Sequence, residues 1–227
     1  MEHTVVSKEE WLNLRRDLLQ QEKEFTKARE AMAALRRALP WVKIDKDYIF
    51  ETVEGPKSLG ELFGPHSQLI VYHFMFGPDW EEGCKSCSFW ADNYNNAVIH
   101  LNQRDVHLIT VSRGPLEKLQ AFKKRMGWTF EWVSSAKNSF NFDFNVSFPD
   151  QDEGLYNFSM GKVGEEMPGI SVFYKDEDGQ VYHTYSRFAR GLDLLNATYH
   201  LLDLVPKGRN EEGLPYTQAW IKLKDQY

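Results

Sequence analysis

The two cysteines of this 227-residue chain lie three residues apart, in Cys84-Lys85-Ser86-Cys87. Directly before them, residues 68–76 form a continuous apolar run that is typical of a β-strand buried on both faces. Directly after them, apolar residues recur at helical spacing to about residue 102. A lone Cys-x-x-Cys pair at the point where a strand meets a helix indicates thiol redox chemistry. The pair therefore predicts an α/β fold with both thiols at the start of a helix.

The rest of the pattern extends this α/β interpretation. After the cysteine helix, a second buried strand is predicted at 106–111, a helix closed by Gly127 at 115–126 and a third strand at 128–133. An irregular insertion follows at about 134–165, then a β-hairpin at 170–185 and a last helix at 192–202. The order β-α-β-α-β implies parallel strands joined by right-handed crossovers. We predict a central mixed β-sheet flanked by helices, with a core domain at 41–206 and a C-terminal tail at 207–227.

A long helix is predicted ahead of this domain, within residues 1–40. Ser7 and Glu10 fit a capping box, and Pro40 ends the helix. Its apolar residues recur at spacings of three, four or seven: Trp11, Leu14, Leu18, Phe25, Met32, Leu35 and Leu39. Such a stripe indicates either a helix that packs on the body of its own chain or a homodimer formed through this helix.

Composition limits the class of partner. Twenty-seven basic residues stand against 33 acidic ones, a formal net charge of −6, so no nucleic-acid surface is expected. No apolar run approaches the roughly 18 residues of a membrane helix, and the first residues do not resemble a signal peptide. We expect a cytoplasmic protein with no membrane partner, and protein or small-molecule thiols and disulfides as substrates.

The predicted element order is that of thioredoxin, and the match to one bacterial group is closer. The stretches that carry it are FGPDWEEGCKSCSFW from Phe76, VSRGP from Val111, FKKRMGW from Phe122, SVFYKD from Ser171 and DLVPKGRNEEGLP from Asp203. They resemble a thioredoxin-like bacterial family of unknown function that is loosely attached to the peroxiredoxin (AhpC/TSA) clan. The resemblance spans nearly the whole chain, and it implies a thioredoxin-like fold without identifying a substrate.

The two cysteines are expected to have different roles. The N-terminus of a helix favours a thiolate, so Cys84 is the predicted nucleophile and Cys87, one turn further on, the resolving thiol. Lys85 favours the thiolate, whereas Asp79, Glu81 and Glu82 oppose it. The expected substrate-contacting residues are Trp80, Lys85 and Arg113. No cofactor and no metal is expected for a thiol–disulfide oxidoreductase of this kind.

Two further residues are assigned to the site. Thioredoxins carry a buried carboxylate in the strand before the cysteines, and His73 is expected to take over its proton transfer with Cys87; the alternative is an ordinary core histidine. Pro168, in Met167-Pro168-Gly169-Ile170, resembles the proline that faces the disulfide in that fold and is expected to be cis.

Two other functions remain open from the sequence. A peroxidase of peroxiredoxin type would have Pro-x-x-x-Thr-x-x-Cys at the attacking thiol, but Gly77 and Glu81 occupy the positions of the proline and the threonine. A copper- or zinc-binding protein would need His73, His107 or His183 beside the sulfurs.

Overall fold

The computed structural model describes residues 3–149 and 153–227 and divides the chain into two compact units, Met1–Pro40 and Trp41–Tyr227. The first unit is a single helix, α1 (Lys8–Arg37). Ser7 caps it, because its hydroxyl accepts a hydrogen bond from the Glu10 N–H at 3.2 Å. The long N-terminal helix predicted from the sequence is therefore confirmed.

The second unit contains ten strands and five helices among its described residues. The strands are β1 (Val42–Lys43), β2 (Ile49–Thr52), β3 (Gly55–Ser58), β4 (Gln68–His73), β5 (Val106–Ser112), β6 (Glu131–Ser134), β7 (Gly154–Tyr156), β8 (Ser159–Gly161), β9 (Gly169–Lys175) and β10 (Val181–Phe188). The helices are α2 (Lys85–Tyr94), α3 (Val98–Asn102), α4 (Leu116–Arg125), α5 (Phe140–Asp143) and α6 (Ala197–Leu202).

Eight strands form one mixed sheet in the order β1-β10-β9-β4-β5-β6-β2-β3. The central strand β4 runs parallel to β5 and antiparallel to β9, and β5 runs parallel to β6. Two parallel β-α-β units joined to an antiparallel hairpin make this a thioredoxin-like fold, as predicted. The insertion before the hairpin contributes α5 and a separate ribbon of β7 and β8.

The sheet has a different core on each face. On one face Tyr72 and Phe74 pack with the buried side chains of α2 and α4. On the other face Leu69 and Val71 pack with Phe140 of α5 and with the β9 residue Phe173. Successive side chains of a strand point to opposite faces, so odd and even positions of β4 belong to different cores. This alternation decides which residues can reach the cysteines.

Two predicted helices differ in detail from their periodicity. After the cysteines, helical structure continues to Asn102 as predicted, but a 3₁₀ turn over Asn95–Ala97 separates α2 from α3. The last helix begins only at Ala197, because Asn196 caps it by accepting a hydrogen bond from the Tyr199 N–H. Among the described residues, none of the helices combines the length and apolar character that crossing a membrane requires.

Candidate active site

The loop between β4 and α2 places the two cysteines at the helix start. The Cys84 N–H donates to the Met75 carbonyl at 3.1 Å, and the Cys84 carbonyl accepts the first helical hydrogen bond, from the Ser88 N–H at 2.9 Å. Gly83 precedes Cys84 where the loop crosses the aromatic core. A Cβ atom there would lie 2.7 Å from Phe122 and 2.8 Å from Phe74, so the close approach requires glycine. Cys84 is therefore the N-cap residue of α2.

Cys84 is the more accessible and the more acidic of the two thiols. It is half-buried, whereas Cys87 is 2% exposed, and both are free. The neighbouring Cys87 thiol, assisted by the N–H groups of Cys87 and Ser86 at the start of α2, lowers the pKa of Cys84 to about 6 against the opposing effect of burial. At neutral pH this cysteine is a thiolate.

Two acidic residues of the loop, Glu81 and Glu82, are paired with basic residues of α4. Glu81 forms an ion pair with Lys118 at 2.8 Å, and Glu82 forms one with Arg125. These ion pairs weaken the repulsion that the sequence led us to expect at Cys84.

Burial keeps Cys87 protonated. Burial raises the pKa of Cys87 well above its ordinary value, and the neighbouring Cys84 raises it further. Two groups oppose this effect: the Met75 N–H, which donates a hydrogen bond to the sulfur at 3.5 Å, and the neighbouring Tyr72 hydroxyl. Tyr72 is itself 1% exposed and lies in the same core as Cys87. The site therefore has a polar group beside the resolving thiol that the sequence analysis missed.

Cys87 and Tyr72 line a cavity of about 230 Å³. Its other walls include Met75, Trp90 and Pro168, and its remaining lining residues are Ser86, Ala189, Arg190, Leu192, Asp193 and Gln218. The Trp90 indole N–H donates to the Leu192 carbonyl at 2.7 Å, which ties α2 to the segment that follows β10. The cavity gives small molecules a mostly apolar space beside the buried thiol.

The structure does not bring His73 to the cysteines. As an odd residue of β4 it lies on the opposite face of the sheet, where its ring packs against Phe140 and Phe144 and its Nε2 atom is 2.9 Å from the Ser171 hydroxyl. Burial lowers the pKa of His73 to about 3, so the ring is neutral. The expectation that His73 exchanges a proton with Cys87 is corrected: Tyr72, its neighbour in the strand, faces that thiol.

Pro168 lies at the cavity but is not cis. Its side chain lines the same space as Cys87, as the resemblance implied. Among residues 3–149 and 153–227 no peptide bond is cis, so the expected cis bond before Pro168 is wrong. A trans peptide is the lower-energy isomer. The Pro168 carbonyl accepts a hydrogen bond from the Tyr156 hydroxyl at 2.7 Å at the entry into β9.

The three predicted substrate-contacting residues have different surroundings. Trp80 is half-buried and packs on the core that contains the cysteines, and Lys85 lies over the ring of Tyr216 at 5.8 Å. Arg113 forms a 2.8 Å ion pair with Glu166, which is 2% exposed. Because this ion pair engages its guanidinium, we assign Arg113 a structural role and not the predicted contact with substrate.

The histidines considered as metal ligands have other partners. His107 Nδ1 is 2.9 Å from the Leu62 carbonyl, and His183 Nε2 is 2.8 Å from the Ser186 hydroxyl. Within the described part of the chain, no group of three His, Cys, Asp or Glu side chains is placed to hold a metal ion.

Solved structures similar to this chain include two peroxiredoxin-type proteins. Peroxiredoxin Q from Xanthomonas campestris has 14% sequence identity and a TM-score of 0.47, over 71% of this chain and 95% of that one. Peroxidoxin BcpB from Mycobacterium tuberculosis has 16% identity and a TM-score of 0.47, over 71% of this chain and 97% of that one. No curated protein matches the sequence.

A family model matches the chain over residues 1–227, and its description is "Bacterial protein of unknown function (DUF899)". The match includes the segments 76–90 and 203–215 from which the resemblance was drawn. It confirms the resemblance to a bacterial family of unknown function.

Proposed function

The chain belongs to the DUF899 family, and from the geometry at its two cysteines we propose that it is a thiol–disulfide oxidoreductase. The observation that carries the proposal is the placement of two free cysteines at the start of α2, where Cys84 is the half-buried N-cap residue with a lowered pKa and Cys87 is buried and protonated. This difference suits an attacking and a resolving cysteine.

The reaction follows from these two protonation states. The Cys84 thiolate attacks one sulfur of a substrate disulfide RS–SR′, which forms a Cys84–SR mixed disulfide and releases R′S⁻. Cys87 then loses its proton, which converts R′S⁻ to R′SH, and its thiolate attacks the Cys84 sulfur. The Cys84–Cys87 disulfide forms and RS⁻ leaves. Two electrons pass from the two thiols to the substrate.

Tyr72 and Met75 act at the second step. While Cys84 is held in the mixed disulfide it no longer accepts the Cys87 proton. The Tyr72 hydroxyl and the Met75 N–H then remain as donors to the developing Cys87 thiolate. Hydrogen bonds to a charged group are worth about 1.5–3 kcal/mol each. These two donors therefore support the resolution of the mixed disulfide.

The proposal is tested by single-turnover exchange of the reduced protein with glutathione disulfide, followed by mass spectrometry. The wild type is expected to form an intramolecular disulfide, Cys87→Ser to stop at a mixed disulfide on Cys84, and Cys84→Ser not to react. Equilibration in glutathione buffers gives the reduction potential of the couple. A pair that stays reduced in every buffer would refute the proposal, and faster oxidation by a hydroperoxide than by disulfides would favour the peroxidase instead.

A further inference from the structure

The apolar side chains of α1 follow a seven-residue repeat. With Trp11 as the first a position, the a and d positions are occupied by Trp11, Leu14, Leu18, Gln21, Phe25, Ala28, Met32, Leu35 and, just after the helix, Leu39. A repeat of 3.5 residues kept over four heptads favours a left-handed supercoil with another helix, because a straight helix has 3.6 residues per turn.

This stripe is narrow, as a coiled-coil seam is. Positions c, e, f and g carry charged, polar or alanine residues throughout, and only Leu12 and Leu19, both at b, add large apolar side chains outside the seam. A helix that packs on a globular body normally has a wider apolar face. A single helix cannot bury its own seam. The seam therefore requires a partner helix of matching repeat.

The charges beside the seam favour pairing of α1 with α1 of a second copy in parallel orientation. The charged g positions are all acidic: Glu10, Asp17 and Glu24. The e positions carry Arg15, Glu22, Arg29 and Arg36. In an antiparallel pair g faces g′, which would bring acidic residues together. In a parallel pair g faces e′ of the next heptad. Glu10 then faces Arg15 of the other copy, and Glu24 faces Arg29. Asp17 faces Glu22, which is the one pairing of like charges.

We propose that α1 pairs with α1 of a second copy of this chain in a parallel, in-register, two-stranded coiled coil, and that the protein is thereby a homodimer. In this register Gln21 at a d position faces Gln21 of the other copy, where the two amides can hydrogen-bond each other. A polar pair inside an apolar seam fixes register at some expense in stability. The proposal does not depend on the activity of the cysteines.

The oligomeric state is tested on the full-length chain by sedimentation equilibrium over a wide range of protein concentration. The wild type is expected at the mass of two 26.5 kDa chains. Leu18→Glu, at an a position, is expected to shift the protein to the monomer. Leu19→Glu is the matched control, since it places the same charge on the adjacent residue outside the seam, and is expected to stay dimeric. A monomeric wild type, or a Leu18→Glu variant that stays dimeric, would overturn the proposal.

Orientation is tested by oxidative cross-linking in a Cys84→Ser/Cys87→Ser background. Gln21→Cys is expected to form an interchain disulfide, because equivalent d positions meet only in the parallel, in-register pair. Lys23→Cys, at an f position on the outside, is the control that should not cross-link. Circular dichroism of each variant checks that the helix is retained. Failure of Gln21→Cys to cross-link in a dimer would reject the parallel register.

Discussion

The hydroxyl-bearing side chain of Tyr72 lies beside the buried thiol of Cys87, in the same core and along the same cavity, and it opposes the rise in the pKa of that thiol. Tyr72 belongs to the central strand β4 and Cys87 to the first turn of α2, so the contact joins the sheet to the helix packed on it. Tyr72 is 1% exposed, so this contact lies inside the protein. A buried hydrogen bond to a group that must become charged has a larger effect than one at the surface.

Replacing Tyr72 with Phe is expected to slow the resolution of the mixed disulfide by about tenfold, which is about 1.4 kcal/mol and near the lower end for a hydrogen bond to a charged group. The formation of the mixed disulfide on Cys84 should change little. Stopped-flow exchange with glutathione disulfide separates the two steps. Tyr94→Phe is the matched control: Tyr94 is buried in the same core, but its hydroxyl is bonded to Thr110. Equal effects of the two substitutions would mean that Tyr72 acts through packing alone.

Substitution of His73 with Asn is expected to leave the rate of disulfide exchange and its pH profile unchanged, because its ring lies on the other face of the sheet. The variant loses the contact of His73 with Ser171 and fits the aromatic pocket poorly, so thermal unfolding should show a lower Tm. Exchange rates of the folded variant, measured from pH 5 to pH 9, check this. A shifted pH profile would restore the proton-transfer role that the sequence suggested.

The sequence was sufficient to predict the β-α-β-α-β order and the position of Cys84 at a helix start, because both follow from local periodicity. It could not separate the roles of Tyr72 and His73. Because the side chains of a strand alternate, Tyr72 and His73 must point to opposite faces of the sheet. The run 68–76 is apolar on both faces, however, so the sequence does not show which of the two residues faces α2. Arg113 and Glu166 are 53 positions apart, and no local pattern pairs such residues. Periodicity also does not register the 3₁₀ turn that begins at Asn95 or the Asn196 side chain that caps α6.

The alkylation rate of Cys84 is expected to follow a single titration with a midpoint near pH 6, since only the thiolate reacts and its pKa is about 6. Below that pH Cys84 becomes protonated and labelling by iodoacetamide should fall. Cys87 should be labelled far more slowly throughout. Cys87→Ala removes the largest cause of the lowered pKa and should move the midpoint upward. Mass mapping of the labelled cysteines gives both rates, and preferential labelling of Cys87 would reverse the assigned roles.

Above pH 7, where Glu166 is ionised, removal of the Arg113 guanidinium is expected to destabilise the fold strongly, because it leaves the Glu166 carboxylate buried without its ion-pair partner. Arg113→Met should lower the free energy of unfolding by about 3–5 kcal/mol. The double variant Arg113→Met/Glu166→Gln should recover part of this loss, since no buried charge remains. Urea unfolding of the four proteins in the cycle measures the coupling. If the effects of the two single substitutions on the free energy of unfolding are additive, Arg113 and Glu166 are not energetically coupled.

The same carboxyl group predicts a pH dependence of stability. Burial raises the pKa of Glu166 from 4.5 to about 7, although Ser147 and Arg113 oppose the shift. The folded state therefore holds this proton up to about pH 7, whereas the unfolded chain releases it near 4.5. The contribution of Glu166 to stability should be fully present below pH 4.5 and lost as the pH rises to 7. Glu166→Gln should remove this component from the pH dependence of the unfolding free energy. An unchanged pH dependence in that variant would exclude the raised pKa.

Gly83 lies directly before Cys84, the proposed nucleophile, at a point where the loop touches the aromatic core. A methyl group at this position would meet the rings of Phe74 and Phe122 at under 3 Å, and both rings are held in the aromatic core. Gly83→Ala is therefore expected to cost about 1–3 kcal/mol through overpacking. It should also displace the Cys84 backbone, whose N–H is bonded to Met75 on the same loop, and so raise the pKa of the thiol by weakening its contacts with the helix N–H groups. Gly161→Ala is the control, since no atom lies within 4 Å of a Cβ there. Urea unfolding measures the effect on stability, and the pH profile of Cys84 alkylation measures the effect on the thiol. If Gly83→Ala equals the Gly161→Ala control in both measurements, the loop does not need glycine to position Cys84.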